Sequence, residues 1–169
     1  MIILSCILLV ISFFLQGIVS NFIGYVFVDL SIFSTIYILV TLLLIYQSFE
    51  NQNKFILLLI IFGLLVDLVY SNTLFFNTCL FFLIYRLNKM FHFLFPYNLF
   101  TINVGVLLGV YLYHIVSFLF LILLRYDSYS FNVLIKVLLS STIMTIVYTS
   151  LSYLIINFLK KRFDLKEVK

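Results

Sequence analysis

The chain contains no tryptophan, no alanine and a single proline, and only 9% of its 169 residues are charged. Ordinary soluble domains carry about a quarter charged residues, so this share excludes a conventional water-facing surface. The missing alanine removes a common small residue of membrane helix contacts, which leaves Ser, Thr and five Gly for that role. The two cysteines, Cys6 and Cys79, fall in separate apolar segments that the topology below places in opposite leaflets, so no disulfide between them is expected. There is no CxxC pair and no Cys/His cluster to suggest a metal. HExxH, GxSxG and phosphate-cradling glycine loops are absent as well. Asp67 is the sole clearly intramembrane acid, so an aspartyl dyad within one chain is excluded. The expectation is a non-enzymatic protein without cofactor or metal.

What is present is apolar. Hydrophobic residues make up 65% of the chain, mean hydropathy is +1.27, and there are 21 Phe and 12 Tyr. A helix needs about 20 apolar residues to cross roughly 30 Å of hydrocarbon. Six segments meet this, near 2–20, 30–48, 55–71, 73–91, 99–124 and 132–159. The third and fourth are separated only by Ser71-Asn72-Thr73, which reads as a turn followed by a helix start. Six spans are preferred over five, and the alternative to a tight hairpin here is one kinked element that does not cross fully. The first segment lacks a basic leader and a small-residue cleavage site, so it reads as a retained span rather than a signal peptide. The fold class expected is all-α: a polytopic membrane helical bundle over 1–159, followed by a basic cytoplasmic tail over 160–169.

Charge supports six spans with both termini inside. Internal segments then hold Lys54, Arg86, Lys89 and the tail residues Lys160, Lys161, Arg162, Lys166 and Lys169, whereas the outer ones hold only Arg125 and Lys136. Basic residues concentrate on the cytoplasmic side of membrane proteins. The net charge of +4 therefore points to orientation and contact with anionic membrane lipids, not to nucleic acid. The loops expected, 21–29 and 125–131 outside and 49–54 and 90–98 inside, are too short for a soluble domain.

Asp67 interrupts an otherwise uncharged run from Phe55 to Tyr70, and a carboxylate at mid-membrane depth costs a few kcal/mol. Such a residue has a partner or a task, unless it reaches water. Gly63, Asp67 and Ser71 recur at four-residue spacing on one helix face. Lys136 lies at a similar depth, about 6 Å from the outer edge at 1.5 Å per residue. The expected pairing is Asp67 with Lys136, with His114 as a second candidate partner for the acid. His92 is expected at the interface. On the fifth segment Thr101, Gly105 and Gly109 form a stripe containing a GxxxG pair. That pair reads either as intramolecular packing or as a docking face for another protein's single membrane helix. A stripe of Ser141, Thr145 and Thr149 on the sixth segment is a second expected contact face.

Phe62-Gly63-Leu64-Leu65-Val66-Asp67-Leu68, followed by a polar turn and another apolar span, resembles the MreD family of rod shape-determining membrane proteins. Chain size, span number, minimal loops and the basic tail are similar too. Gly63 and Asp67 match the family pattern well and Asn77 more softly. Ser71 and Phe75 stand where the family often has Gly. The resemblance implies a scaffold of cell-wall elongation in the bacterial cytoplasmic membrane. The partners it implies are a bitopic MreC-like protein and, with it, an MreB-like filament, a SEDS-type glycosyltransferase and a class B penicillin-binding protein. The alternative is the substrate-binding subunit of an energy-coupling-factor vitamin transporter, also a six-helix bundle of this size. A carrier would need an outward pocket, for which Asp67, Asn21, Asn77, His114 and Lys136 are the polar material at hand.

Overall fold

The computed structural model describes residues 2–26, 36–49, 51–71, 73–124 and 131–162. Among them are six α-helices and no strand, which is the all-α bundle expected. They are α1 (Ile2–Val26), α2 (Tyr37–Ile45), α3 (Gln52–Val66), α4 (Phe76–Leu94), α5 (Leu99–Leu123) and α6 (Phe131–Arg162). A 3-10 turn over Tyr46–Ser48 extends α2, and a π-helical turn over Asp67–Ser71 extends α3.

Several boundaries differ from the sequence reading. Helix α1 continues to Val26, through the stretch expected as an outer loop, because Asn21 and Gly24 weaken a helix without blocking it and no proline follows. Helix α4 starts at Phe76 and continues to Leu94. Its end is set by Pro96, which forces the residue before it out of the helical region; Phe95 is extended at φ −120°, ψ 142°. Asn98 then caps α5, accepting from the Thr101 N–H at 3.1 Å while the Thr101 hydroxyl accepts from the Asn98 N–H at 3.1 Å. This reciprocal pair satisfies two donors that a helix start leaves open. The expected span over 30–48 is seen as helix from Tyr37 onward, and its earlier part, like the basic tail beyond Arg162, lies outside the described residues.

Helix α2 is the axis of the bundle. All nine of its residues are buried, as expected of a helix that is apolar on nearly every side. Helices α1, α4, α5 and α6 pack on it; α5 also packs on α4 and α6, and α3 packs on α4. The Thr41 hydroxyl of α2 meets the Tyr148 hydroxyl of α6 at 2.9 Å, and the Tyr37 and Tyr148 rings pack edge to face with centroids 4.8 Å apart.

Apolar side chains also cover the outside. Phe14 on α1, Leu57 on α3, Phe93 on α4, Leu119 on α5 and Ile143 on α6 are all exposed. Soluble monomers do not present contiguous apolar surface on this scale. By length and composition Gln52–Ser71, Leu99–Leu123 and Phe131–Leu159 are able to cross a membrane; Ser5–Val19 and Tyr37–Ser48 are shorter apolar helices.

Candidate functional site

Helices α3 and α4 form an antiparallel hairpin, not one kinked element. At its open end the Lys89 ammonium donates to Gln52 Oε1 at 2.8 Å. At its closed end Asp67 faces the start of α4. The Asp67 side chain is buried, with 1% of its surface exposed. Its Oδ1 accepts from the Thr73 hydroxyl at 2.7 Å, the Asn77 N–H at 2.9 Å and Asn77 Nδ2 at 3.0 Å. Its Oδ2 accepts from the Thr78 N–H at 3.2 Å and the Thr78 hydroxyl at 3.0 Å.

The carboxylate thus caps α4 from a neighbouring helix. The first N–H groups of a helix have no partner within it and carry the positive end of the helix dipole. Two of them, on Asn77 and Thr78, point at Asp67. The burial cost of the acid and that of the open helix end offset each other, because each supplies what the other lacks.

Local geometry follows from this contact. The chain leaves α3 through the π-helical turn, in which the Ser71 hydroxyl donates to the Asp67 carbonyl at 3.3 Å. Ser71 Oγ also accepts from Asn77 Nδ2 at 2.8 Å and lies 2.8 Å from the Thr73 hydroxyl. Asn77 is saturated: its amide donates to Asp67 and Ser71, and its Oδ1 accepts from the Tyr113 hydroxyl of α5 at 2.6 Å. The network therefore joins α3, α4 and α5. Phe75, just before α4, is left-handed at φ 64°, an uncommon conformation for an aromatic residue. Tyr70 in the π-helical turn donates to the Phe13 carbonyl at 2.8 Å and so ties the hairpin to α1.

Gly63 lies one turn before Asp67 against the same stretch of α4, and the structure brings Gly63, Asp67, Ser71 and Asn77 together. Lys136 is not among them. It is exposed on α6, and both Asp67 oxygens are occupied by α4 and the turn before it. The pairing of Asp67 with Lys136 is corrected accordingly. Matched depth along the membrane normal does not bring two helices together around the bundle, and α6 packs on α2 and α5 rather than on the hairpin.

The fifth-segment stripe also divides. Thr101 serves the α5 cap. Gly105 and Gly109 face inward. A Cβ on Gly105 would lie 3.1 Å from Asn88 Nδ2 and from His92 Nε2, and one on Gly109 would lie 3.0 Å from Ile84 and Leu43 side chains. This face is filled by α4 and α2, so it is an intramolecular seam and not a free dock for another protein's helix. Ser141, Thr145 and Thr149 on α6 are buried. The Ser141 hydroxyl donates to the Leu138 carbonyl at 3.0 Å and that of Thr149 to the Thr145 carbonyl at 2.6 Å, which lets a polar stripe enter an apolar interior.

Thr73, read from sequence only as part of the turn, completes the site together with Thr78, Tyr113 and Tyr70, which were not singled out from sequence. Hydroxyls and tyrosines recur throughout the chain, and nothing in their spacing separates these from the rest. Asn72 lies outside the described residues. Among the described residues no group of three or more His, Cys, Asp or Glu side chains comes together. Cys6 and Cys79 are free thiols. Comparison with protein-family models, curated proteins and solved structures gives no match.

Proposed function

We propose that this chain is a non-enzymatic, multi-pass scaffold of the bacterial cytoplasmic membrane, of the MreD type, with both termini cytoplasmic. It would hold a bitopic MreC-like protein beside the elongation machinery. The observation that carries this reading is the α3–α4 hairpin. Its Gly63 and Asp67, the two residues that match the family pattern best, are spent on setting the angle and register of the two helices. A carboxylate held by five donors is suited to positioning rather than to chemistry. The apolar exterior supports immersion in lipid, which leaves lateral contacts as the means of action.

Because Gly105 and Gly109 are covered, the partner's helix would dock on an outward face. At the hairpin tip Leu68, Val69, Leu74 and Phe75 are all exposed, and they are the residues on which this reading rests the contact. A tagged chain extracted from its native membrane should bring down a bitopic protein with a large outer domain. Replacing Leu74 and Phe75 with Ser should remove that partner while the chain still inserts. Recovery of a tightly held small molecule with no protein partner would replace this reading with the vitamin-carrier alternative.

A further inference from the structure

At the end of the bundle where Lys89 meets Gln52, two basic side chains stand one turn apart on α4. Arg86 is exposed and Lys89 is half-buried. The Phe55 and Tyr85 rings pack with centroids 4.9 Å apart, so Arg86 is level with the first turn of α3. The apolar exterior does not stop at that level. On α4, Met90, Phe93 and Leu94 are exposed beyond it. Gly105 of α5 lies against Asn88, and Asn103 of α5 bonds Ser150 of α6 at 3.2 Å, which brings that part of α6 to the same level. Past Ser150, Leu154, Ile155 and Phe158 are exposed as well. The basic pair therefore sits below an apolar rim, inside the lipid-facing band.

Arg86 also leans away from water. Helical side chains tilt toward the helix N-terminus, and the N-terminus of α4 is at the closed end of the hairpin. The Arg86 guanidinium carbon lies 5.7 Å from the centroid of the Phe82 ring, one turn nearer that end. A long basic side chain near the end of a membrane helix ordinarily reaches outward to the headgroups; this one points along the helix into the apolar band. The ring is a partial partner for the cation, but it offers no acceptor to the planar fork of N–H donors. Among the described residues Asp67 is the only acid, and its oxygens are taken at the opposite end of the hairpin.

We propose that Arg86 and Lys89 bind the phosphate of an anionic phospholipid of the surrounding leaflet, its acyl chains lying along the exposed Phe82 and Leu83. The guanidinium fork matches two phosphate oxygens. The Lys89 ammonium gives one donor to Gln52 and keeps two. Two cations with no described acid beside them favour a headgroup of net negative charge over a zwitterionic one, whose own ammonium competes for the same phosphate. A soluble anion would have to cross the apolar rim to reach Arg86. A lipid brings its phosphate to that depth with its chains already in hydrocarbon. The site requires that the chain lie in lipid, and it is independent of the scaffold role and its partner.

The chain has no tryptophan, so a single introduced one reports on its own surroundings. Leu83→Trp places the fluorophore one turn from Arg86, and Phe14→Trp places it on α1, which carries no basic residue. The full chain is reconstituted in vesicles of phosphatidylglycerol and phosphatidylcholine, with one lipid and then the other brominated to quench. The ratio of the two quenching curves gives the relative affinity for the anionic lipid. It should be several-fold at Leu83→Trp and near unity at Phe14→Trp. Adding Arg86→Gln and Lys89→Gln should bring the first ratio close to unity; should that double change fail to insert, Arg86→Gln alone decides by the same drop. A ratio near unity at Leu83→Trp would overturn the proposal, as would a preference that Arg86→Gln leaves unchanged. A preference erased by inorganic phosphate would assign the pair to a free anion and overturn it too. Absence of quenching at both positions by either lipid would overturn immersion itself, whereas loss of the lipid preference alone leaves the proposed function standing.

Discussion

Gly63 and Thr78 meet backbone to backbone: a Cβ on Gly63 would fall 2.8 Å from the Thr78 Cα and 2.8 Å from its hydroxyl oxygen. That approach brings Asp67, one turn further along α3, within reach of the first N–H groups of α4. Close helix approach and carboxylate cap are therefore one device, and each depends on the other.

Gly63→Ala should destabilise the protein by about 1–3 kcal/mol, the usual range for overpacking a filled interior. The atom that must yield is backbone, so α3 and α4 have to separate. Denaturant titration in detergent should show the loss. A larger loss is expected for Gly63→Leu.

Asp67→Leu should be worse, roughly 2–4 kcal/mol, because buried donors left without an acceptor cost about 1–3 kcal/mol each. Lys136→Glu should change stability by no more than about 0.5 kcal/mol, as expected of an exposed position. The double charge reversal Asp67→Lys with Lys136→Asp should rescue nothing. Thermal unfolding of the three variants checks all of this, and rescue by the double reversal would restore the ion-pair reading.

Phe75→Gly should stabilise the isolated protein by about 1 kcal/mol, since a left-handed L-residue carries a penalty of roughly 1–2 kcal/mol that glycine escapes. Phe75 is more than half exposed, so little packing is lost. If Phe75 also contributes to partner docking, the same variant should bind the partner less well while unfolding at higher temperature. That opposition separates a docking role from a folding one.

Tyr113→Phe should cost about 1–3 kcal/mol by leaving the buried Asn77 Oδ1 without its donor. Tyr148→Phe, which removes the hydroxyl contact to Thr41, should cost about 0.5–1.5 kcal/mol. Thr41 retains its bond to the Tyr37 carbonyl at 2.8 Å, which is why the second change is milder. Melting temperatures in one detergent give the comparison.

Leu at both Gly105 and Gly109 should abolish recovery of folded chain rather than selectively lose a partner, because both positions face α4 and, at Gly109, α2. Size-exclusion profiles distinguish the outcomes: aggregation is expected, whereas a monodisperse chain lacking only its partner would return the GxxxG face to the outside.

Much of the fold was legible from composition alone. A chain this apolar, with helix breakers confined to a few places, has few alternatives to a helical bundle, and Pro96 and Ser71 mark two of its joints. Gly63, Asp67, Ser71 and Asn77 were legible as candidates because an acid or a glycine is conspicuous in an apolar run. Thr73, Thr78 and Tyr113 were not, since a hydroxyl in this chain looks the same whether it binds a carboxylate or its own helix.

The sequence by itself determined that there would be helices, roughly where they begin and end, and that a buried acid would need a partner. Only the tertiary structure decided which partner, and which helix lies at the centre. Apolar periodicity records how much of a helix avoids water but not which neighbour covers it. In α2 only Thr41 and the Tyr37 hydroxyl break an otherwise apolar surface, so the pattern carries little direction. Asp67 found the end of the adjacent helix instead of a distant lysine because two open backbone donors lay one short turn away, within a hairpin that Gly63 had already closed.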